Sequence, residues 1–411
     1  MDLTTLYGLS RQYLETKFQT YHRTALPETL FKHRLSVVLG QRGVGKTTLI
    51  VQHLLQCVGH DQLSPKILYV PADHFLLGGM SLYAIAEAFQ SLGGEIIAFD
   101  EIHKYTDWSK ELKSIYDTFP NLRIIASGSS ALAIYKGTHD LTRRAVVHEI
   151  FGFSFREYLE LQHHISLARY ALSDVIQQHE TLSREILQQL AAVQCKVLVE
   201  FKQYLQAGYY PYIHEMQEVA LYWMTLEQNI HATIESDLSA IFPALTGSTI
   251  RKLKQLLAFI VSAVPFSPNF QKLKQLLHIG DERTLKNYLK YLEDARLIRQ
   301  LVSASTKLKS LETPEKIYLD NPNQLYALSG AQHNIGTVRE LFFLTMTAYQ
   351  HSVTAPKQGD FLVDNTLLFE VGGKNKEQPV LRDAQTMYLA CDDLENGVAT
   401  KIPLWLFGFL Y

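Results

Sequence analysis

Along the first third of the chain, short unbroken apolar runs alternate with stretches whose apolar positions recur every three or four residues. Leu35 to Leu39, Lys66 to Pro71, Ile96 to Phe99 and Leu122 to Ala126 are runs of strand length. Leu49 to Val58 and Ser81 to Leu92 fall between them with helical spacing. Strand alternating with helix predicts an α/β domain built on a parallel sheet. From Phe153 to about Phe242 the spacing is helical throughout, as in FREYLELQ, ISLARYALSDVIQQ, REILQQLAAVQCKVLVEFKQYL and ALYWMTLEQNIHATIESDL. Gly208 and Pro211 interrupt it at Ala207 to Tyr212. Three more helices are predicted at Ile250 to Val264, Asn269 to Leu277 and Glu282 to Arg296, then a strand-like LIRQLVSAS and a Lys-rich turn, TKLKSLETPEK. Beyond them the pattern predicts a helix (Gly336 to Tyr349) and strands at Ser352 to Ala355, Gly359 to Val363 and Thr366 to Val371. A helix (Leu381 to Cys391) and a final strand (Pro403 to Leu410) complete it.

The first strand runs into Gly40-Gln41-Arg42-Gly43-Val44-Gly45-Lys46-Thr47-Thr48, a GxxxxGK[ST] loop leading into a helix. Its glycines let backbone N–H groups converge on phosphate oxygens, and the helix that follows aims its positive end at the same anion. Lys46 reaches the β- and γ-phosphates and Thr47 is a magnesium ligand. The strand Ile96 to Phe99 ends in Asp100-Glu101, on the rim of the sheet where ligands bind. Asp100 holds the magnesium shell there, and Glu101 orients and deprotonates the attacking water, an arrangement that favours hydrolysis over mere binding. After the next strand come Ser127-Gly128-Ser129-Ser130. Ser127 is the first candidate for touching the γ-phosphate or the water, and Ser129 the second. Arg143 or Arg144 is a candidate arginine finger onto a neighbouring subunit's nucleotide, with a surface basic pair as the alternative.

Composition changes this picture in one place. The chain has 411 residues, 47% hydrophobic and 19% charged, with a net charge of −2, as expected of several globular domains. Three scattered cysteines point away from a disulfide scaffold or a cysteine-based zinc site. His163, His164, His179, His214 and His231 lack metal-motif spacing and read as core or surface residues. No apolar run approaches the ~20 residues of a membrane span and the first residues are polar, so a cytoplasmic location without membrane is expected. Residues 249–309, however, hold twelve Lys+Arg against four Asp+Glu, a local net charge of +8, so the remainder of the chain carries −10. Three helices followed by a hairpin is the winged helix-turn-helix plan. In it Arg283, Lys286, Asn287 and Lys290 would face a major groove, and Lys307 and Lys309 would meet phosphate on double-stranded DNA. A lid or protein-contact role is the alternative.

GQRGVGKTT, AFDEIHKYTDW, ASGSSAL and FGFSFREYLEL together resemble the AAA+-superfamily ATPases of bacteria and archaea that carry a C-terminal domain related to PD-(D/E)xK nucleases. The resemblance implies ATP as the nucleotide, Ser127 at the sensor position, an arginine finger at Arg143 or Arg144, and a homo-oligomer or protein partner. The expected domains are a P-loop ATPase domain at 1–150, a helical lid at 151–245, a winged helix-turn-helix at 246–320 and a restriction-endonuclease-like α/β domain at 321–411. In that last domain Asp360 and Glu370 fit a metal-binding carboxylate pair, with Glu340 able to join them. The lysine expected two residues after the glutamate is replaced by Gly372, with Lys374 as a displaced substitute, which favours a binding role over cleavage. The function expected is Mg2+-dependent ATP hydrolysis coupled to DNA or to a protein partner. An ATP-gated nuclease and a nucleotide-dependent assembly switch are the alternatives.

Overall fold

The computed structural model describes residues 3–24, 26–27, 29–128, 141, 143–242, 245–303, 313–330, 333–377 and 386–411. The chain packs as two compact units, Met1–Gly152 with Glu235–Leu245, and Phe153–Ile234 with Thr246–Tyr411. The stretch expected as a separate helical lid thus packs for the most part with the C-terminal residues.

The first unit is a five-stranded parallel sheet in the order β2-β3-β4-β1-β5. Its strands are β1 (Leu35–Leu39), β2 (Ile67–Pro71), β3 (Ile96–Asp100), β4 (Arg123–Gly128) and β5 (Val146–Glu149). Every residue of β1, β2 and β3 is buried, which is why they read as unbroken apolar runs rather than alternating ones. Leu82, Ile85, Ala86 and Phe89 on helix Leu82–Ser91, and Leu112 and Ile115 on helix Trp108–Thr118, complete the core. Because β4 lies between β1 and β3, the carboxyl ends of these three strands share one rim.

The second unit begins with helix Phe155–His163, which Ser154 and Glu157 start as a capping box. Arg156 in its first turn is buried and paired with Glu160 at 2.8 Å, and it also donates to the Tyr411 main-chain oxygen at 3.1 Å. The next expected helical run is broken in the structure. Helix Leu172–Ala192 stops, Gln194 takes a left-handed φ of 57°, and helix Val197–Ala207 begins afresh. Tyr209 and Tyr210 are buried against each other edge to face, 5.0 Å apart, in agreement with a packing role.

Helices Gly247–Ala263, Phe270–Leu276 and Glu282–Asp294 follow. After them come the antiparallel strands β6 (Ile298–Leu301) and β7 (Lys316–Leu319), with Phe266 bridging to Ile317. Lys307 and Lys309 lie outside the described residues, as does Ser129.

Helix Ile335–Thr347 then packs on a second sheet of order β12-β11-β10-β9-β8. Its strands are β8 (Val353–Thr354), β9 (Phe361–Val363), β10 (Leu367–Gly373), β11 (Met387–Asp392) and β12 (Lys401–Pro403). Two expectations fail here. The helix expected over Leu381 to Cys391 is strand β11 over its described part, paired in parallel with both β10 and β12. The continuous run Met387-Tyr388-Leu389-Ala390-Cys391 is a central strand whose apolar positions also satisfy a helical period. The final strand expected at Pro403 to Leu410 is a 3₁₀ helix, Leu404–Phe409, buried on all sides. An apolar run without alternation does not distinguish the two, and only packing decides.

Candidate functional site

At the carboxyl end of β1 the loop 40–45 turns back into helix Lys46–Cys57. Gly43 and Gly45 have φ of 83° and 94°, a region that side chains disfavour. A Cβ on Gly40 would run into the Ile150 carbonyl oxygen. Gly45 caps the helix without any side-chain hydrogen bond, so no capping side chain satisfies the first-turn N–H groups. Lys46 is buried, and its Nζ donates to the Gly40 and Gln41 carbonyls, both at 2.9 Å. Burial pulls its pKa down, against the pull of the Glu101 and Asp100 charges.

Asp100, at the end of β3, is almost fully buried and accepts four hydrogen bonds. Thr47 Oγ1 lies 2.6 Å from Oδ2 and the Glu101 amide 3.0 Å from Oδ1. The Tyr69 hydroxyl also donates to Oδ2 and the Ser127 hydroxyl to Oδ1. Three of the expected residues, Thr47, Asp100 and Ser127, therefore meet at one point. Tyr69 is an addition that the sequence pattern hid, because a tyrosine in a buried strand reads as core. Burial and the Asp100 charge raise its pKa.

Glu101 has left-handed backbone (φ 52°), and its Oε2 is buried without accepting a hydrogen bond. His103 Nε2 stands 3.7 Å from that oxygen and 3.8 Å from Asp237 Oδ1. Asp237 in turn holds Arg42 of the loop in a fork, with Nε–Oδ2 at 3.1 Å and the second contact at 2.6 Å. His103 and Asp237 are also additions, the latter 195 positions from Arg42. Of the two finger candidates, Arg144 is tied bidentately to Asp117 at 2.8 and 2.9 Å, whereas Arg143 is exposed. Gln41 and Thr48 line the loop, half-buried.

The second unit holds the other expected residues. Arg283, Asn287 and Lys290 are exposed on helix Glu282–Asp294 and Lys286 is half-buried. Lys286 pairs with Glu282 at 2.9 Å and Lys290 with Asp294 at 2.7 Å, so part of that face's positive charge is met on the same helix. On the second sheet, the Asp360 amide donates to the Phe369 carbonyl and Asp360 Oδ2 accepts from the Val371 amide at 2.9 Å. Burial raises the pKa of Asp360, and the neighbouring Glu370 charge adds to it. Burial likewise raises Glu340, which accepts from the Tyr318 hydroxyl at 2.6 Å. Lys376, rather than Lys374, pairs with Glu370, at 2.7 Å. A Cβ on Gly372 would lie 2.9 Å from the Lys376 side chain, so the missing bulk at 372 is where Lys376 passes.

Residues 32–159 match the family described as AAA domain, which supports ATP binding and hydrolysis, and residues 198–334 match a domain of unknown function (DUF8612). Uncharacterized protein MJ1637 of Methanocaldococcus jannaschii is 28% identical over 309 residues, covering 70% of this chain and 63% of that protein. The chain thus spans less than two thirds of that relative's length. Uncharacterized protein MJ1544 of the same organism is 23% identical over 359 residues, covering 85% and 72%. Among solved structures, the Walker-type ATPase paby2304 of Pyrococcus abyssi is 15% identical, with coverage of 78% and 95% and a TM-score of 0.36. C. elegans PCH-2 is 15% identical, with coverage of 70% and 67% and a TM-score of 0.24. Among the described residues no helix is long and apolar enough to cross a membrane.

The Arg42–Asp237 pair carries a pH signature. Burial would raise the Asp237 carboxyl, but the hydrogen bonds from His103 and Arg42 and the Arg42 charge outweigh it, and its pKa falls well below the usual range. A carboxyl depressed on folding contributes stability above its unfolded pKa of about 4 and loses it as the pH falls further. Removing one partner of a buried pair costs about 3–5 kcal/mol, and Arg42 is partly exposed, so Asp237→Asn is expected at the low end of that range at pH 7. Chemical denaturation of the first unit should show this difference unchanged down to about pH 5 and shrinking below about pH 4. A difference independent of pH would show that Asp237 is not held as a carboxylate.

Proposed function

We propose that the chain is a Mg2+-dependent ATPase whose site is the loop 40–48 together with Asp100, Glu101 and Ser127. The observation that carries this reading is the meeting of Thr47 and Ser127 on the Asp100 carboxylate beside a glycine cradle and an uncapped helix start. The residues present fit a magnesium ion arriving with the nucleotide, since a hydroxyl and a carboxylate oxygen 2.6 Å apart are hard oxygen donors of the kind it takes. Thr47 and Asp100 would hold the ion, which would supply neutralisation of phosphate charge. Lys46 exchanges two loop carbonyls for phosphate oxygens. Glu101, whose Oε2 lacks a hydrogen bond, orients water and takes its proton, and Ser127 contacts the γ-phosphate. Arg143 is the better finger candidate, because Arg144 is engaged by Asp117; such a finger requires a homo-oligomer. The location consistent with this reading is cytoplasmic.

Glu101→Gln is expected to keep ATP binding and lower kcat by about 10²–10⁴-fold, the usual contribution of a positioned base. Phosphate release and equilibrium nucleotide binding measured on the same preparation check it. Unchanged turnover would remove Glu101 from the mechanism, while absent turnover in the unsubstituted chain with ATP still bound would favour a nucleotide-dependent assembly switch.

A second reading, an ATP-gated DNA nuclease, is favoured by one observation: Lys376 passes over Gly372 to Glu370, close to where the resembled pattern has its lysine. Asp360, Glu370 and Glu340 are oxygen donors of the type a divalent cation takes; they would have to draw together to hold one, and it would then activate water. The helices and hairpin of residues 247–319 would serve as a winged helix-turn-helix holding double-stranded DNA. Arg283, Lys286, Asn287 and Lys290 would face the duplex, since exposed same-helix ion pairs are weak enough to yield to phosphates. Incubation of duplex DNA with Mg2+ or Mn2+ and ATP should give cleavage that Asp360→Asn and Lys376→Ala each reduce by about 100-fold or more. DNA retained intact under every nucleotide condition would end this reading and leave DNA or a protein as a bound partner only.

A further inference from the structure

We propose that His163, Cys195 and Glu200 form a binding site for a zinc-class divalent cation in the second unit. The three come from separate elements. His163 is the last residue of helix Phe155–His163, Cys195 lies in the turn after helix Leu172–Ala192, and Glu200 is in the first turn of helix Val197–Ala207. Their ligand atoms all lie within 4.8 Å of one another, the one such group of His, Cys, Asp and Glu among the described residues. All three are intermediate in exposure, so the site is sheltered yet reachable from solvent.

Three details separate this cluster from an ordinary histidine–glutamate pair. First, His163 Nε2 and Glu200 Oε1 converge to 3.3 Å, and the buried Nε2 makes no hydrogen bond. Second, the other Glu200 oxygen is occupied, since Tyr158 donates to Oε2 at 3.2 Å. An outer hydrogen bond of this kind orients a metal-bound carboxylate. Third, the turn that delivers Cys195 is the left-handed break at Gln194 that interrupts an otherwise helical sequence.

One thiolate, one imidazole and one carboxylate are the ligand types that zinc accepts, and a set of three leaves a fourth position for water or a further ligand. On binding, a metal–sulfur bond forms as the thiol proton leaves to solvent, and the ion ties the end of one helix to the turn between two others. The spacing of 163, 195 and 200 matches no sequence motif, so this convergence becomes visible only in the fold.

The test uses the full chain, stripped with chelator and held in excess Mg2+ to occupy the oxygen-donor sites. Titration with Co2+ as the probe should give a thiolate-to-cobalt charge-transfer band saturating at one ion per chain, and Zn2+ should displace it. Changing an outer-shell partner alone costs about 10–100-fold in metal affinity, so Cys195→Ser, His163→Ala and Glu200→Gln should each lose about 100-fold or more. Cys57→Ser should behave as the unsubstituted chain, although Cys57 sits 3.6 Å from His53 Nε2 and is the other Cys–His pair able to bind such an ion. A readout without substitution guards against misfolded variants: Zn2+ should slow alkylation of Cys195 at least about tenfold, and mass spectrometry of the labelled peptide reports it. No cobalt band, a band lost with Cys57 instead, or Cys195 alkylation indifferent to Zn2+ would each overturn the proposal.

Discussion

The Asp100 carboxylate is the point on which the first unit's site depends. It is nearly shut off from water, and an isolated buried carboxylate costs several kcal/mol. The cost is offset by four donors: Thr47 from the helix after the loop, Tyr69 from β2, Ser127 from β4 and the amide of Glu101. Hydrogen bonds to a charged group contribute about 1.5–3 kcal/mol each. Three of these bonds tie β2, β3 and β4 to the helix that follows the loop. The strand order makes this possible, because β4 sits between β1 and β3 and brings Ser127 to the shared rim. Stability and the proposed chemistry therefore rest on one group. A ligand that engages Thr47 or Ser127 must redistribute these bonds, which is a direct route from nucleotide to sheet.

A second connection leaves the same rim through charge. Arg42 of the loop, Asp237 and His103 form a chain that ends near the unpaired oxygen of Glu101. Asp237 belongs to Glu235–Leu245, a stretch remote in sequence that packs with the first unit. The loop that would hold phosphate is thus bonded to that stretch.

Much of the first unit was legible in the sequence, and the reasons are local. The loop is contiguous, its glycines are demanded by backbone geometry, and Asp100-Glu101 terminates an unmistakable buried run. Tyr69 was not legible, because an aromatic residue in a strand reads as core whether or not its hydroxyl has work to do. Asp237 and His103 required the fold, since their partners are remote in sequence. In the second unit, apolar runs without alternation misled at β11 and at Leu404–Phe409, where burial on every side erases the period that tells strand from helix. The break at Gln194 was invisible for the opposite reason, as the helical spacing continues through it. Lys376 illustrates a third limit: its pairing with Glu370 beside Gly372 joins positions that no linear motif marks.

If Thr47 and Asp100 hold the magnesium ion that arrives with the nucleotide, nucleotide binding depends on magnesium. The most direct test is the ATP affinity of the chain and of Asp100→Asn, each measured by equilibrium titration with Mg2+ and with chelator. Binding should be tighter with Mg2+ in the unsubstituted chain, and that difference should be lost in Asp100→Asn. An equal magnesium effect in both proteins, or none in either, would contradict it.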